Sequence, residues 1–181
     1  MPNQHLLTET RFPIVGVMGS GTSAHTERAS QLGRWLAGKG VHLLTGGGGG
    51  VMASVSKAFY ESEGRRGSVI GIIPCMEDSV HPRSGYPNPW IEIPIFTHLP
   101  LSGTRGTEPL SRNHINILTS DVIVALPGGA GTASEAALAV TYQRPIVAFL
   151  TSSAEIPGLP WQVPVQSDFD EVCRFISEAL T

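Results

Sequence analysis

The sequence predicts an α/β protein, a mostly parallel sheet with helices on both faces, in one domain over residues 1–181. Three observations predict it. Short apolar runs alternate with segments of helical periodicity, which is the pattern of βαβ units. The runs are nearly continuous in hydrophobicity, as strands are when both faces of their sheet are covered. Glycine-rich stretches follow three of the runs and lead towards helices.

Residues 13–18 read as a buried strand ending at Gly19-Ser20-Gly21. Residues 24–37 follow as a helix, with Leu32, Trp35 and Leu36 at helical spacing and Gly38 or Gly40 as its stop. Residues 41–45 form a second strand that runs into five glycines, 46–50. Residues 51–63 form a second helix with Val51, Val55, Ala58 and Phe59 on one face, and residues 68–73 a third strand closed by Pro74. Residues 77–89, with Pro82, Gly85, Pro87 and Pro89, read as a loop. Residues 90–98 are a fourth strand that Pro94 confines to a sheet edge or breaks. A polar loop over 100–109 precedes a helix at 110–118, a strand at 122–126 and a helix at 131–142. A strand at 146–150 and a Pro-rich connection at 151–166 lead to an amphipathic helix at 168–180, with Phe169, Val172, Phe175, Ile176 and Leu180 inward.

Composition narrows the function. A chain of 181 residues buries roughly 70% of its unfolded surface, enough for a full core. With 41% apolar and 15% charged residues it is too hydrophobic for disorder. The net charge of −3 supplies no basic stripe, so nucleic-acid binding is not expected. Cys75 and Cys173 are too few for a disulfide scaffold. Residues 1–12 lack the basic start and apolar run of a signal peptide, and no apolar stretch is long enough to span a bilayer. A soluble cytoplasmic protein with free thiols and no membrane partner is expected.

In an open parallel α/β sheet, ligands bind beyond the carboxyl ends of the strands, where strand order reverses. Three glycine loops belong at that edge: Gly19-Ser20-Gly21, the run containing Gly46, Gly47 and Gly48, and Pro127-Gly128-Gly129-Ala130-Gly131-Thr132. Glycine allows close backbone approach, and the N–H groups of a helix start favour a phosphate. One such loop is what any tight turn needs; three together point to an anion. The first reads loosely G-x-G-x-x-A, but glycine stands where a dinucleotide site needs its acidic ribose anchor, and no G-K-[ST] occurs. On spacing alone, Thr132-x-x-Glu135 is a helix capping box. Arg112 and Glu135 flank one strand and can reach the same crevice, a cation and a carboxylate beside a phosphate site.

The segment from Pro127 to Glu135 resembles the P-G-G-x-G-T-x-x-E signature of the LOG proteins, cytokinin riboside 5′-monophosphate phosphoribohydrolases often mislabelled lysine decarboxylases. The resemblance runs from Gly16-Val17-Met18-Gly19 through Val51-Met52 to Glu135. Arg112 stands where LOG proteins carry the arginine of an R-K pair, but Asn113 replaces the lysine. Arg112-Asn113 with Ile115-Asn116 is similar to a sister branch that includes the molybdenum-cofactor carrier protein and relatives of DprA. The resemblance implies a Rossmann-like, doubly wound α/β fold and a homodimer or homotetramer. It implies Arg112 and Glu135 as the catalytic pair, and Gly128, Gly129, Gly131 and Thr132 as a phosphate loop; Asn113 and Met52 would line the substrate. The implied reaction adds water at C1′ of a nucleoside 5′-monophosphate and releases base and ribose 5-phosphate. Its oxocarbenium-like transition state needs a carboxylate and a positioned water. Two readings remain open: this hydrolase, and a nucleotide or pterin-cofactor carrier that uses the same loops without turnover.

Other residues read more plainly. Six scattered histidines offer no metal-ligand spacing, so neither a metal nor a cofactor is expected. His98, His114 and Cys75 read as packing or surface groups near the site, and Ser20 and Ser134 lack a His/Asp partner. Lys39 and Lys57 offer no Schiff-base site, which argues against a decarboxylase. Tyr86 and Trp90 either cover a ligand ring or anchor their loop, and the helices 110–118 and 131–142 offer apolar faces for a two-fold contact.

Overall fold

The computed structural model describes residues 11–181. The signal-peptide reading of residues 1–12 therefore falls almost wholly outside them.

The chain alternates as expected. β1 (Ile14–Met18), α1 (Thr26–Ala37), β2 (His42–Thr45), α2 (Gly50–Tyr60) and β3 (Val69–Ile73) form the first half. A hairpin of β4 (Cys75–Met76) and β5 (Ser79–Pro82) and the strand β6 (Ile93–Phe96) follow. The second half holds α3 (Asn113–Thr119), β7 (Val122–Ala125), α4 (Ala130–Thr141), β8 (Ile146–Phe149), β9 (Val165–Gln166) and α5 (Phe169–Ala179). The main sheet has seven strands in the order β6-β3-β2-β1-β7-β8-β9, and every pair is parallel. This is a Rossmann-like α/β fold.

The continuous apolar runs have the expected cause. Alternate residues of each strand enter different cores. Val15, Val17, Leu43, Val122 and Val124 pack with Leu32, Val55, Phe59, Val172 and Ile176 of α1, α2 and α5. Met18, Leu44, Ile123 and Ala125 face the other way, towards Ile117, Ala136 and Ala139 of α3 and α4. Phe59 and Leu32 are fully buried, each contributing about 1.5–3 kcal/mol of apolar burial. Pro94 lies in β6 at the sheet edge, where its missing N–H is tolerated. Asp168 caps α5, its Oδ1 accepting from the N–H groups of Asp170 (2.8 Å) and Glu171 (3.1 Å).

Four expectations need correction. Residues 77–89 are not wholly loop, because Ser79–Pro82 turns back on Cys75–Met76. The third helix starts at Asn113, not at 110, because Leu110 and Ser111 are engaged elsewhere: the Leu101 N–H donates to Leu110 O, and Ser111 bridges Leu101. The second helix stops at Tyr60, ahead of a turn in which Gly64 is left-handed (φ 73°). The connection 151–166 holds a 3-10 turn, Ser153–Glu155, and the short edge strand β9.

Candidate functional site

The strand order reverses between β1 and β7, with β2, β3 and β6 on one side and β8 and β9 on the other. A cavity of about 290 Å³ opens beyond the carboxyl ends of those two strands. Its lining includes Gly19, Ser20, Gly21 and Met52, then Arg112 and Asn113, and then Gly129, Gly131, Thr132 and Glu135. These ten residues singled out in the sequence, and Tyr86 with them, thus meet around one space. Met18, Thr22, Tyr86, Ser102 and Gly103 complete it.

Each loop is shaped by a specific constraint. Ser20 joins two of them: its N–H donates to Pro127 O (3.0 Å) and its carbonyl accepts from Val51 N–H (2.8 Å). A side chain on Gly19 would stand 2.7 Å from Val51 Cγ1, so the first loop can lie on α2 only as glycine. The second loop stands behind the cavity wall. A Cβ on Gly46 would come within 2.7 Å of Arg112 Nη2, and one on Gly48 within 2.7 Å of the Tyr86 ring. Gly47 is left-handed (φ 74°), and its carbonyl accepts from Asn88 N–H. Gly46, Gly47 and Gly48 therefore do not line the cavity; Gly46 and Gly48 make room for the two side chains that do, and Gly47 lies against Ile73.

The third loop leads into α4. Gly128 lies under the Thr132 side chain, outside the lining, while nothing stands within 4 Å of the place a Gly129 side chain would take. No side chain caps α4, so its first-turn N–H groups have no such acceptor. The capping-box expectation for Thr132-x-x-Glu135 fails here. Gly129 is the N-cap, Thr132 is the third helical residue, and Glu135 is turned into the protein. The capping box that does form is Ser152 with Glu155.

Two buried charged side chains face the cavity. Arg112 is 5% exposed. Its Nη1 donates to Ile72 O (3.0 Å), its Nε has no partner among the described residues, and its guanidinium lies 5.8 Å from the Tyr86 ring centroid. Burial lowers its pKa, opposed by Glu135 and by the Tyr86 hydroxyl. Glu135 is 9% exposed, and its Oε1 accepts from Asn116 Nδ2 (2.9 Å). Burial raises the Glu135 carboxyl above its ordinary value, against the pull of Arg112 and Asn116. Among the described residues the two form no ion pair with each other. Among the described residues Arg112 Nη2 and Glu135 Oε2 make no hydrogen bond, neither atom is sealed from solvent, and both residues line the cavity. A guanidinium, an uncapped helix start and a hydroxyl around one space can hold an anion such as a phosphate.

Sequence reasoning passed over several residues that build the site. Asn116 entered only within a resemblance, although its i, i+4 relation to Arg112 was a usable signal. Ser102 and Gly103 are brought to the rim by Arg83, which donates to Cys75 O, Ser102 Oγ and Pro100 O, and by Ser134 Oγ, which donates to Gly103 O. Nothing in the sequence marks Arg83 for this. Tyr86 lines the cavity, whereas Trp90 lies over Lys57 (5.5 Å). His98 is not in the lining, and His114 bonds to the Tyr142 hydroxyl and to Glu108 O. Cys75 is buried, and burial pushes the Cys173 thiol up to about 11. Among the described residues no cluster of His, Cys, Asp or Glu is placed to hold a metal, and no helix is long and apolar enough to cross a membrane.

The model of the SLOG cluster4 family matches residues 12–164. An uncharacterised protein of Archaeoglobus fulgidus is 32% identical over 128 residues, covering 70% of this chain and 72% of that one. Among solved structures, the molybdenum cofactor binding protein of Rippkaea orientalis is similar at 31% identity and a TM-score of 0.70, over 95% of this chain and 99% of that one. The molybdenum cofactor carrier protein of Chlamydomonas reinhardtii is similar at 31% and 0.69, over 94% and 99%. DNA processing protein A of Helicobacter pylori shares the fold at 19% identity and 0.63, over 92% of this chain and 80% of that one.

Proposed function

The chain belongs to the SLOG cluster4 family, and we propose that its cavity binds a phosphorylated heterocycle, the molybdenum cofactor first among candidates, and carries it without turnover. The observation that carries this reading is Arg112, a buried cation with open donors beside the uncapped start of α4. A phosphate there would take charge-assisted bonds from Nη2 and bonds from the first-turn N–H groups, with Thr132 beside it. Likeness to a molybdenum cofactor binding protein and a carrier protein, each along nearly its whole length, supports the choice of ligand. Asn113 in place of the LOG lysine supports binding over turnover.

Glu135 favours a second reading, N-glycosidic hydrolysis of a nucleoside 5′-monophosphate, because Oε2 opens on the same space as Arg112. Burial weakens that reading. A carboxyl that burial makes readier to hold a proton is a poorer stabiliser of a cationic sugar, although its neutral form can donate to a ligand atom.

One experiment separates them. The protein is presented with molybdenum cofactor released from a denatured molybdoenzyme, and separately with a panel of nucleoside monophosphates that includes AMP. The carrier reading expects saturable cofactor capture, weakened in Arg112→Met, and no free base from any nucleotide. Base release that is lost in Glu135→Gln would establish the hydrolase instead.

A further inference from the structure

We propose that Asn116 is the positioning residue that holds Glu135 towards the cavity and favours its ionised form in the free protein, so that an anionic ligand, which favours the neutral form, enters together with a proton. Asn116 is fully buried on α3, yet only half of its amide is used. Nδ2 donates to Glu135 Oε1, while Oδ1 is buried with no partner among the described residues. An orphaned carbonyl of this kind is uncommon. It has a use here. The amide as placed serves an ionised Glu135; turned by half, it offers Oδ1 to the O–H of a neutral one. One side chain can hold the same carboxyl in both forms and keep Oε2 towards the cavity.

The surroundings leave the choice to the ligand. Arg112 faces Glu135 from the loop before α3, with Tyr86 and Arg83 beyond it. On α3, His114 is turned away to Tyr142 and Glu108 O. The 3-10 turn packed on α4 brings Arg105, which is engaged by Glu108. β7 and β8 carry no charged residue. A dianionic phosphate entering beside Arg112 meets an opposing negative charge if Glu135 is ionised, and a hydrogen-bond donor if it is not. Binding is therefore linked to uptake of one proton from solvent onto Glu135. This ligand-linked half rests on the proposed binding function; the link between Asn116 and Glu135 does not.

The test has two arms. In the first, side-chain carboxyl resonances of the free protein, labelled with ¹³C at glutamate, are followed between about pH 5 and 9; Glu135→Gln identifies the Glu135 signal. The expected result is a Glu135 midpoint above the ordinary carboxylate range that moves higher in Asn116→Leu, where the donor is lost. Asn116→Ala is the second variant in case the leucine does not fold. A midpoint unmoved in both folded variants overturns the role of Asn116. In the second arm, AMP binding is measured calorimetrically in two buffers of different ionisation enthalpy, above the second phosphate pKa of about 6. Uptake approaching one proton per AMP in wild type, and little in Glu135→Gln, supports the linkage; equal uptake in both overturns it. Absence of AMP binding by wild type overturns the ligand-linked half of the proposal, and the first arm still decides on Asn116.

Discussion

Replacing Gly46 by alanine moves Arg112 without substituting any residue that lines the cavity. Gly46 is not in the left-handed region, so alanine can adopt its backbone. The new methyl would stand 2.7 Å from Nη2 and 2.9 Å from Cζ of Arg112. No such contact is tolerated, and the flexible end of the arginine must give way. Its bond to Ile72 O is then lost. A hydrogen bond from a charged donor contributes about 1.5–3 kcal/mol. Restricting the unfolded chain returns roughly 0.4–1 kcal/mol. The net loss of about 1–2 kcal/mol lowers the melting temperature by roughly 2–8 °C in a chain of this size. The same displacement removes a charge-assisted contact to a bound phosphate, which weakens affinity about 10- to 150-fold. Thermal melts and calorimetric titration of a phosphorylated ligand, run beside Arg112→Met, check both numbers. Affinity equal to wild type in a folded Gly46→Ala protein would refute the reasoning.

Four further outcomes follow from the same structure. The native Glu135 carboxyl sits above its ordinary value, so the folded protein keeps a proton that the unfolded chain releases. Stability from this group is full below the ordinary carboxylate range and declines as pH rises towards the native value. Urea midpoints across that interval should fall in wild type and stay flatter in Glu135→Gln, which becomes the more stable of the two at alkaline pH. Thr132→Val keeps shape and removes a hydroxyl that caps nothing, so affinity for a phosphorylated ligand should fall by a few-fold while the melt changes by less than about 0.5 kcal/mol. Asp168→Ala removes two cap bonds from α5 and should cost about 1 kcal/mol in chemical denaturation, with ligand binding intact. Phe59→Ala empties the centre of the α1–α2 core and should cost about 3–5 kcal/mol, read from the same denaturation curves.

Much of this architecture was legible because it is written in local pattern. Val15-Gly16-Val17-Met18 must be apolar throughout, since its residues serve two cores, and that continuity marks a covered parallel strand. Pro94 identified the edge strand because its missing donor admits few positions. The glycine loops identified the right edge of the sheet, but not which glycines touch the cavity. Gly129 is open, whereas Gly46 and Gly48 are glycine because Arg112 and Tyr86 lie against them from distant parts of the chain. Packing between segments this far apart in the chain leaves no local mark. The same limit explains Thr132 and Glu135. Threonine and glutamate at that spacing cap a helix when the threonine is its N-cap, and the N-cap of this helix is Gly129, three residues earlier. The hairpin β4–β5 escaped because its strands are short and polar, and Arg83 because it acts only on the backbone and side chain of other loops.

The central claim is that Arg112 and the start of α4 hold a phosphorylated cofactor that is carried and not cleaved. The most direct measurement is saturation of the purified protein with released molybdenum cofactor, following both bound cofactor and any breakdown product over time. The account predicts saturable capture, binding at least 10-fold weaker in Arg112→Met, and cofactor recovered intact. No saturable capture, or base release from a nucleoside monophosphate that disappears in Glu135→Gln, would contradict it.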